Sequence, residues 1–133
     1  MVQAYLTKEI TVETPNTKGT AAKLTQLIAN QAKANIRAAW AAGYNSQGHF
    51  SLITDNNQKA FEAIRKEFPK AQEQEVLVVN VPNSVGNLAD ITNKISNAGL
   101  NIDYLFTTYV DDKPSIVVCT DDNQKAYQLF NHN

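Results

Sequence analysis

Residues 54–61, TDNNQKAF, return 66 positions later as TDDNQKAY at 120–127. A second echo lies nearer each start: Pro15-Asn16 with Gly19 returns as Pro82-Asn83 with Gly86, at a spacing of 67. One extra residue in the first copy, near Gln31 to Ala34 and opposite Ala98 to Leu100, reconciles the two spacings. Asn35-Ile36 then meets Asn101-Ile102, back at 66. A chain that repeats itself at this distance must use one supersecondary unit of about 60 residues twice, a period too long for most solenoid repeats.

Each copy carries the same order of patterns. Glu9 to Thr14 and Val76 to Val81 are rich in branched residues, as strands are. Leu88, Ile91, Ile95 and Ala98 recur at helical spacing, as do Leu24, Leu27, Ile28 and Ala32. Ile102, Tyr104, Phe106, Thr108 and Val110 alternate, and so do Ile36, Ala38, Trp40, Ala42 and Tyr44, which predicts strands with one buried face. Turn residues at 43–48 and 111–114 lead into strands at His49 to Thr54 and Ser115 to Thr120. Helices from about Asn56 and Asp122 close each copy, packing Ala60, Phe61, Ile64 and Phe68 in one and Ala126, Tyr127 and Phe130 in the other. The repeated TDxNQKA has a structural explanation, since Asp55 or Asp121 can cap the helix while Gln58 or Gln124 completes a capping box.

Strand, helix, strand, strand, helix needs one more strand to become the ferredoxin-like βαββαβ unit, an antiparallel sheet with helices on one face. The expected class is therefore α+β with that unit repeated twice, over residues 1–70 and 71–133. Pairing the two units side by side would give one continuous eight-stranded sheet. Residues 70–75 can supply the last strand of the first copy, but the second copy ends at Asn133. Residues 2–8 align with 69–75, which suggests that they complete the second sheet.

Net charge is −1, and ten Lys and two Arg are scattered along the chain, poor material for gripping a phosphate backbone, so no nucleic acid is expected. An RNA-recognition sheet would also need a basic face with stacking aromatics. No apolar stretch approaches the 18 residues that suggest a membrane span, the N-terminus does not resemble a secretory signal, and the single cysteine, Cys119, forms no internal disulfide. A cytoplasmic location and no membrane partner follow as expectations. No phosphate loop, metal-ligand spacing or nucleophile signature is present, so the expectation is no enzyme, no catalytic residue, no metal and no cofactor. His49 and Cys119 are read as structural, and Trp40 and Tyr44 as core or interface.

The run PNxxGxLxxIxxxIxxAGLNI from Pro82 to Ile102 resembles the start of an ACT domain, and the whole chain resembles stand-alone tandem ACT proteins. The first copy departs at Thr20-Ala21 and at Gln31 to Ala34. The resemblance implies binding of a small metabolite, usually an amino acid, at the first strand-to-helix loop. The loop residues are Asn83, Ser84, Val85, Gly86, Asn87 and Leu88 in the second copy, and Asn16, Thr17, Lys18, Gly19 and Thr20 in the first. It also implies that the strand starts Asn101-Ile102 and Asn35-Ile36, from a paired unit, form the other wall of the site. The chemistry is consistent: glycine allows a sharp turn, and the following helix offers N–H groups with no internal partner and a partial positive charge suited to a carboxylate. The asparagines could equally be making turn hydrogen bonds to their own backbone. The implied role is regulatory, in a homodimer, with a metabolic enzyme or regulator as partner. The alternative is an interaction or dimerisation module that docks on an enzyme or regulator without binding a ligand.

Overall fold

The protein is described by a computed structural model covering residues 2–110 and 112–131. Its elements run β1 (Gln3–Pro15), α1 (Thr20–Leu27), a π-helical turn (Ile28–Ala32), β2 (Ile36–Tyr44), β3 (Gln47–Thr54), α2 (Asn57–Glu67), β4 (Gln72–Asn80), α3 (Asn87–Asn97), β5 (Ile102–Val110), β6 (Lys113–Thr120) and α4 (Asn123–Phe130). This is the α+β class with two ferredoxin-like βαββαβ units in tandem.

The chain divides into two compact units. One is Lys8–Gln74; the other takes the residues up to Thr7 and those from Glu75 onward. In the first unit the strand order is β2-β3-β1 followed by the start of β4, and in the second it is the start of β1 followed by β4-β6-β5. Because β1 and β4 each serve both units, the described residues hold six strands and not the eight of the expected joined sheet.

Each unit has its own apolar core. In the first, Ile10, Val12 and Leu52 of the sheet pack against Leu24, Ile28, Ala60 and Ile64 of the helices. In the second, Leu77, Val79, Ile116 and Val118 pack against Ile91, Ile95 and Ala126, with Ala4 from the start of β1 in the same cluster and Leu6 packed against it. Period-two alternation along β1 places Ala4, Leu6, Ile10 and Val12 on one face. Glu9 lies on the other face, fully buried, with its Oε1 accepting a hydrogen bond of 3.3 Å from Gln74 Nε2.

The extra residue of the first copy has a structural identity. It is absorbed by the π-helical turn, in which each N–H reaches one residue further back than in an α-helix. Lys33 then ends the helix at φ 52°, at the position where the second copy has Gly99 at φ 81°. The second copy has no π turn: α3 ends at Asn97 and Ala98 caps it.

The TDxNQKA repeat is structural, but its parts differ from the expected ones. The N-caps are Asn56 and Asp122, one residue beyond Asp55 and Asp121, and their side chains accept from Lys59 N at 3.2 Å and Lys125 N at 3.1 Å. Asp55 and Asp121 instead accept from the backbone of the strand starts, Asn35 N at 2.9 Å and Asn101 N at 3.1 Å. Asn57 makes a three-way clamp: its Oδ1 accepts from Thr54 N and Thr54 Oγ1 at 2.9 and 2.6 Å, and its Nδ2 donates to Lys8 O at 2.6 Å. Asn123 repeats this with Thr120 and donates to Glu75 O at 2.8 Å. Lys8 and Glu75 are the residues at which β1 and β4 pass from one unit to the other.

Candidate functional site

Both glycines of the repeated loop adopt a conformation that L side chains resist. Gly19 sits at φ 85° and Gly86 at φ 91°, each as the N-cap of the helix that follows, and neither helix start receives a side-chain cap. A Cβ at either position would meet nothing within 4 Å. The requirement is therefore for the backbone angle and not for space. The chain bends there, and the start of each helix stands beside a cleft.

In the second unit the cleft has a volume of about 330 Å³. Asn83, Ser84, Asn87 and Leu88 line it from the loop and helix start, with Val81 and Pro82 behind them. Thr107, Thr108 and Tyr109 at the end of β5, and Pro114, Ser115 and Ile116 of β6, form the opposite wall. The Asn87 side chain folds back to donate to Pro82 O, which holds the loop closed on itself. Leu88 and Tyr109, which line the cleft, are 41% and 60% exposed, so the cleft mouth is partly apolar.

The first unit has a roomier cleft of about 430 Å³, lined by Asn16, Thr17, Gly19 and Thr20 on the loop side. Its far wall is Ala41, Ala42, Gly43, Gly48 and Phe50. The Asn16 backbone N–H donates to Ser46 O at 2.7 Å, and its side chain lies so close to Gly43 that a Cβ there would fall 2.6 Å from Asn16 Nδ2. Thr17 and Thr20 share a hydroxyl contact of 3.0 Å, and Thr20 Oγ1 donates to Thr17 O. Among the described residues, no charged side chain lines either cleft.

The expected residues thus come together in part. The loop polar groups reach the clefts, whereas Val85, Gly86 and Lys18 do not line them. Within each unit the strand starts lie at the other end of the sheet, where Ile36 and Ile102 pack against the cores and Asn35 and Asn101 are held by Asp55 and Asp121. β2 and β1 both pair antiparallel with β3, so they run the same way, and the end of β2, not its start, comes alongside the exit of β1. β5 is placed likewise by β6. The wall residues 41–43 and 107–109 were therefore readable from strand direction, given the element order.

One further polar cluster lies in the first unit. His49 contacts Ser51 Oγ at 2.8 Å through Nε2 and Glu13 Oε1 at 3.5 Å through Nδ1, and its ring stacks on Trp40 with centroids 4.7 Å apart. The order acid, imidazole, hydroxyl is that of a nucleophile relay, but Ser51 is fully buried, so the hydroxyl is out of a substrate's reach. No grouping of His, Cys, Asp and Glu suited to a metal ion occurs among the described residues. No helix among them is long and apolar enough to cross a membrane.

A family model described as an ACT domain pair matches residues 6–133. No curated protein matches the chain by sequence. Among solved structures, a protein from Bacteroides thetaiotaomicron superposes with a TM-score of 0.84 at 21% identity, covering 95% of this chain and 87% of that one. The regulatory subunit of aspartate kinase from Thermus thermophilus, in a ligand-free form, gives 0.65 at 19% identity, with 96% and 93% covered. The corresponding subunit from Thermus flavus gives 0.62 at 19%, with 96% and 94% covered. At these identities the structural likenesses concern the fold.

Proposed function

The chain belongs to the ACT domain pair family, and from that premise we propose that it is a regulatory protein that binds an amino acid or a similar small metabolite and performs no catalysis itself. Family membership supports a small-molecule-binding regulatory role. The observation that carries the reading to these residues is the start of α3: a helix N-terminus without a side-chain cap behind Gly86, beside a cleft lined by Asn83, Ser84, Asn87 and Thr107 together with the apolar Val81, Pro82, Leu88 and Ile116. A ligand carboxylate would take the helix-start N–H groups, and Asn83 would offer an amide able to donate and accept. The loop Asn16, Thr17, Gly19 and Thr20 would form a second, roomier berth.

Regulation requires that the ligand bind one state of an assembly better than another. The assembly proposed is a homodimer in the cytoplasm, acting on a metabolic enzyme or regulator; the Thermus neighbours are named as regulatory subunits of such an enzyme. A thermal-shift screen over the amino acids tests the proposal. A ligand at about 100 times its Kd adds about 2.7 kcal/mol, which is a rise of several degrees in a chain of this size. Gly86→Val should abolish the shift. Silence across the whole set, with the protein folded, would overturn ligand binding and favour docking, for which exposed Leu88 and Tyr109 at the same mouth, and exposed Val85 on the loop, provide apolar surface.

A further inference from the structure

The same loop asparagine meets different ground in the two copies. Asn16 and Asn83 hold matching places, directly after Pro15 and Pro82. Sheet register carries the match across to the facing strand. Gly43 pairs with Gly48 in the first unit and Tyr109 with Pro114 in the second, both at the 66-residue spacing of the repeat. The two glycines make a seat for Asn16. A Cβ at Gly43 would fall 2.6, 3.1 and 3.2 Å from Asn16 Nδ2, Cγ and Oδ1, so the whole side-chain amide lies against β2 there. A Cβ at Gly48 would come 3.7 Å from Asn16 Cα. Tyr109 carries the Cβ that Gly43 lacks, and an amide placed as that of Asn16 would stand closer to it than non-bonded atoms come. Asn83, which lines the cleft of its own unit, therefore has to carry its amide off the strand.

We infer that the two berths fill in order, the second unit before the first, and that the Cβ at position 109, against the bare backbone at 43, sets that order. An amide laid on a strand has to leave it before it can donate to or accept from a metabolite; one held off the strand is already placed. The inference rests on the ligand-binding reading above and ranks its two berths. Its consequence is regulatory: two berths of unequal affinity spread the response over a wider range of metabolite concentration than two equal ones.

The test is an NMR titration of the whole isotope-labelled chain with each of the twenty amino acids in turn. One that binds should move the Asn83 side-chain amide and the backbone amides of 84–88 at a concentration about tenfold below that needed for Asn16 and 17–20. Variants ask whether the Cβ is responsible. Tyr109→Ala keeps it and should keep the order. Tyr109→Gly offers Asn83 a bare backbone to settle on and should weaken the second berth about tenfold relative to Tyr109→Ala. Gly43→Ala should lift Asn16 off β2 and strengthen the first berth, and it carries the test alone if glycine at 109 leaves the strand unfolded by circular dichroism. Both loops responding together in wild type, the first loop responding before the second, or equal affinity in folded Tyr109→Ala and Tyr109→Gly would overturn the order and leave ligand binding standing. So would a folded Gly43→Ala whose first loop responds no earlier than in wild type. No response to any amino acid would remove the ligand-binding reading, and this ranking with it.

Discussion

Gly86→Ala isolates one physical quantity. The residue sits at φ 91° and ψ −4°, and the added methyl would meet nothing within 4 Å. No clash, cavity or lost side-chain contact therefore enters the change. What remains is the backbone cost of holding an L residue in the left-handed region, about 1–2 kcal/mol. Opposing it, alanine restricts the unfolded chain and returns about 0.4–1 kcal/mol. The net expectation is a destabilisation of about 1 kcal/mol. With an unfolding entropy of about 2.1 cal/mol/K per residue, that lowers the melting temperature of this chain by about 3–4 °C. Asparagine tolerates positive φ better, so Gly86→Asn should lose about half as much. Gly19, at φ 85° with the same open surroundings, should respond alike. Differential scanning calorimetry of the four proteins decides the matter. An alanine variant as stable as wild type, or more so, would mean that position 86 does not hold positive φ, and the account of the open helix start would go with it.

Other perturbations address the rest of the design. Asn57→Ala removes two accepted hydrogen bonds and one donated bond and leaves Thr54 N without its acceptor; about 2–3 kcal/mol should be lost in urea unfolding, and Asn123→Ala should match it. Deleting residues 2–7 removes Ala4 and Leu6 from the second core and the Asn131–Ala4 hydrogen bond of 2.9 Å, so amide exchange should accelerate in α3 and α4 well before α1 and α2; equal exchange in all four would contradict it. Gly43→Ala should push aside the Asn16 side chain, a flexible group, at a cost under about 1 kcal/mol, seen as a displaced Asn16 side-chain amide resonance.

How much of this was legible in the sequence depended on range. Local periodicity carried the helices and strands because each face must match its core, as Leu24 and Ile28 or Ile91 and Ile95 do. The repeat located the glycine turns and the extra residue, although nothing in Ile28–Ala32 announced a π turn as its form. The cap assignment slipped by one residue because Asp55, Asn56 and Asn57 are all good helix-start residues, and only the geometry assigns one to the strand start, one to the cap and one to β1. The cleft wall depends on strand direction across the sheet, which links residues far apart in the chain, such as Asn83 and Thr107, and leaves no mark in local composition.

Comparing the two copies separates what the fold demands from what is free to vary. The Thr-Asp-x-Asn clamp is identical in both, and its bonds recur pair by pair, so it belongs to the architecture. The loop asparagine and glycine are also shared, which fixes the bend. The walls that face those loops are not shared. Ala41, Ala42, Gly43 and Gly48 stand where the second copy has Thr107, Thr108, Tyr109 and Pro114. Gly43 gives the Asn16 side chain a place to lie; with Tyr109 at the matching position, the opposite wall of the second cleft carries a ring and a hydroxyl. With an identical frame and divergent walls, each wall can change without disturbing the turn that leads into the helix.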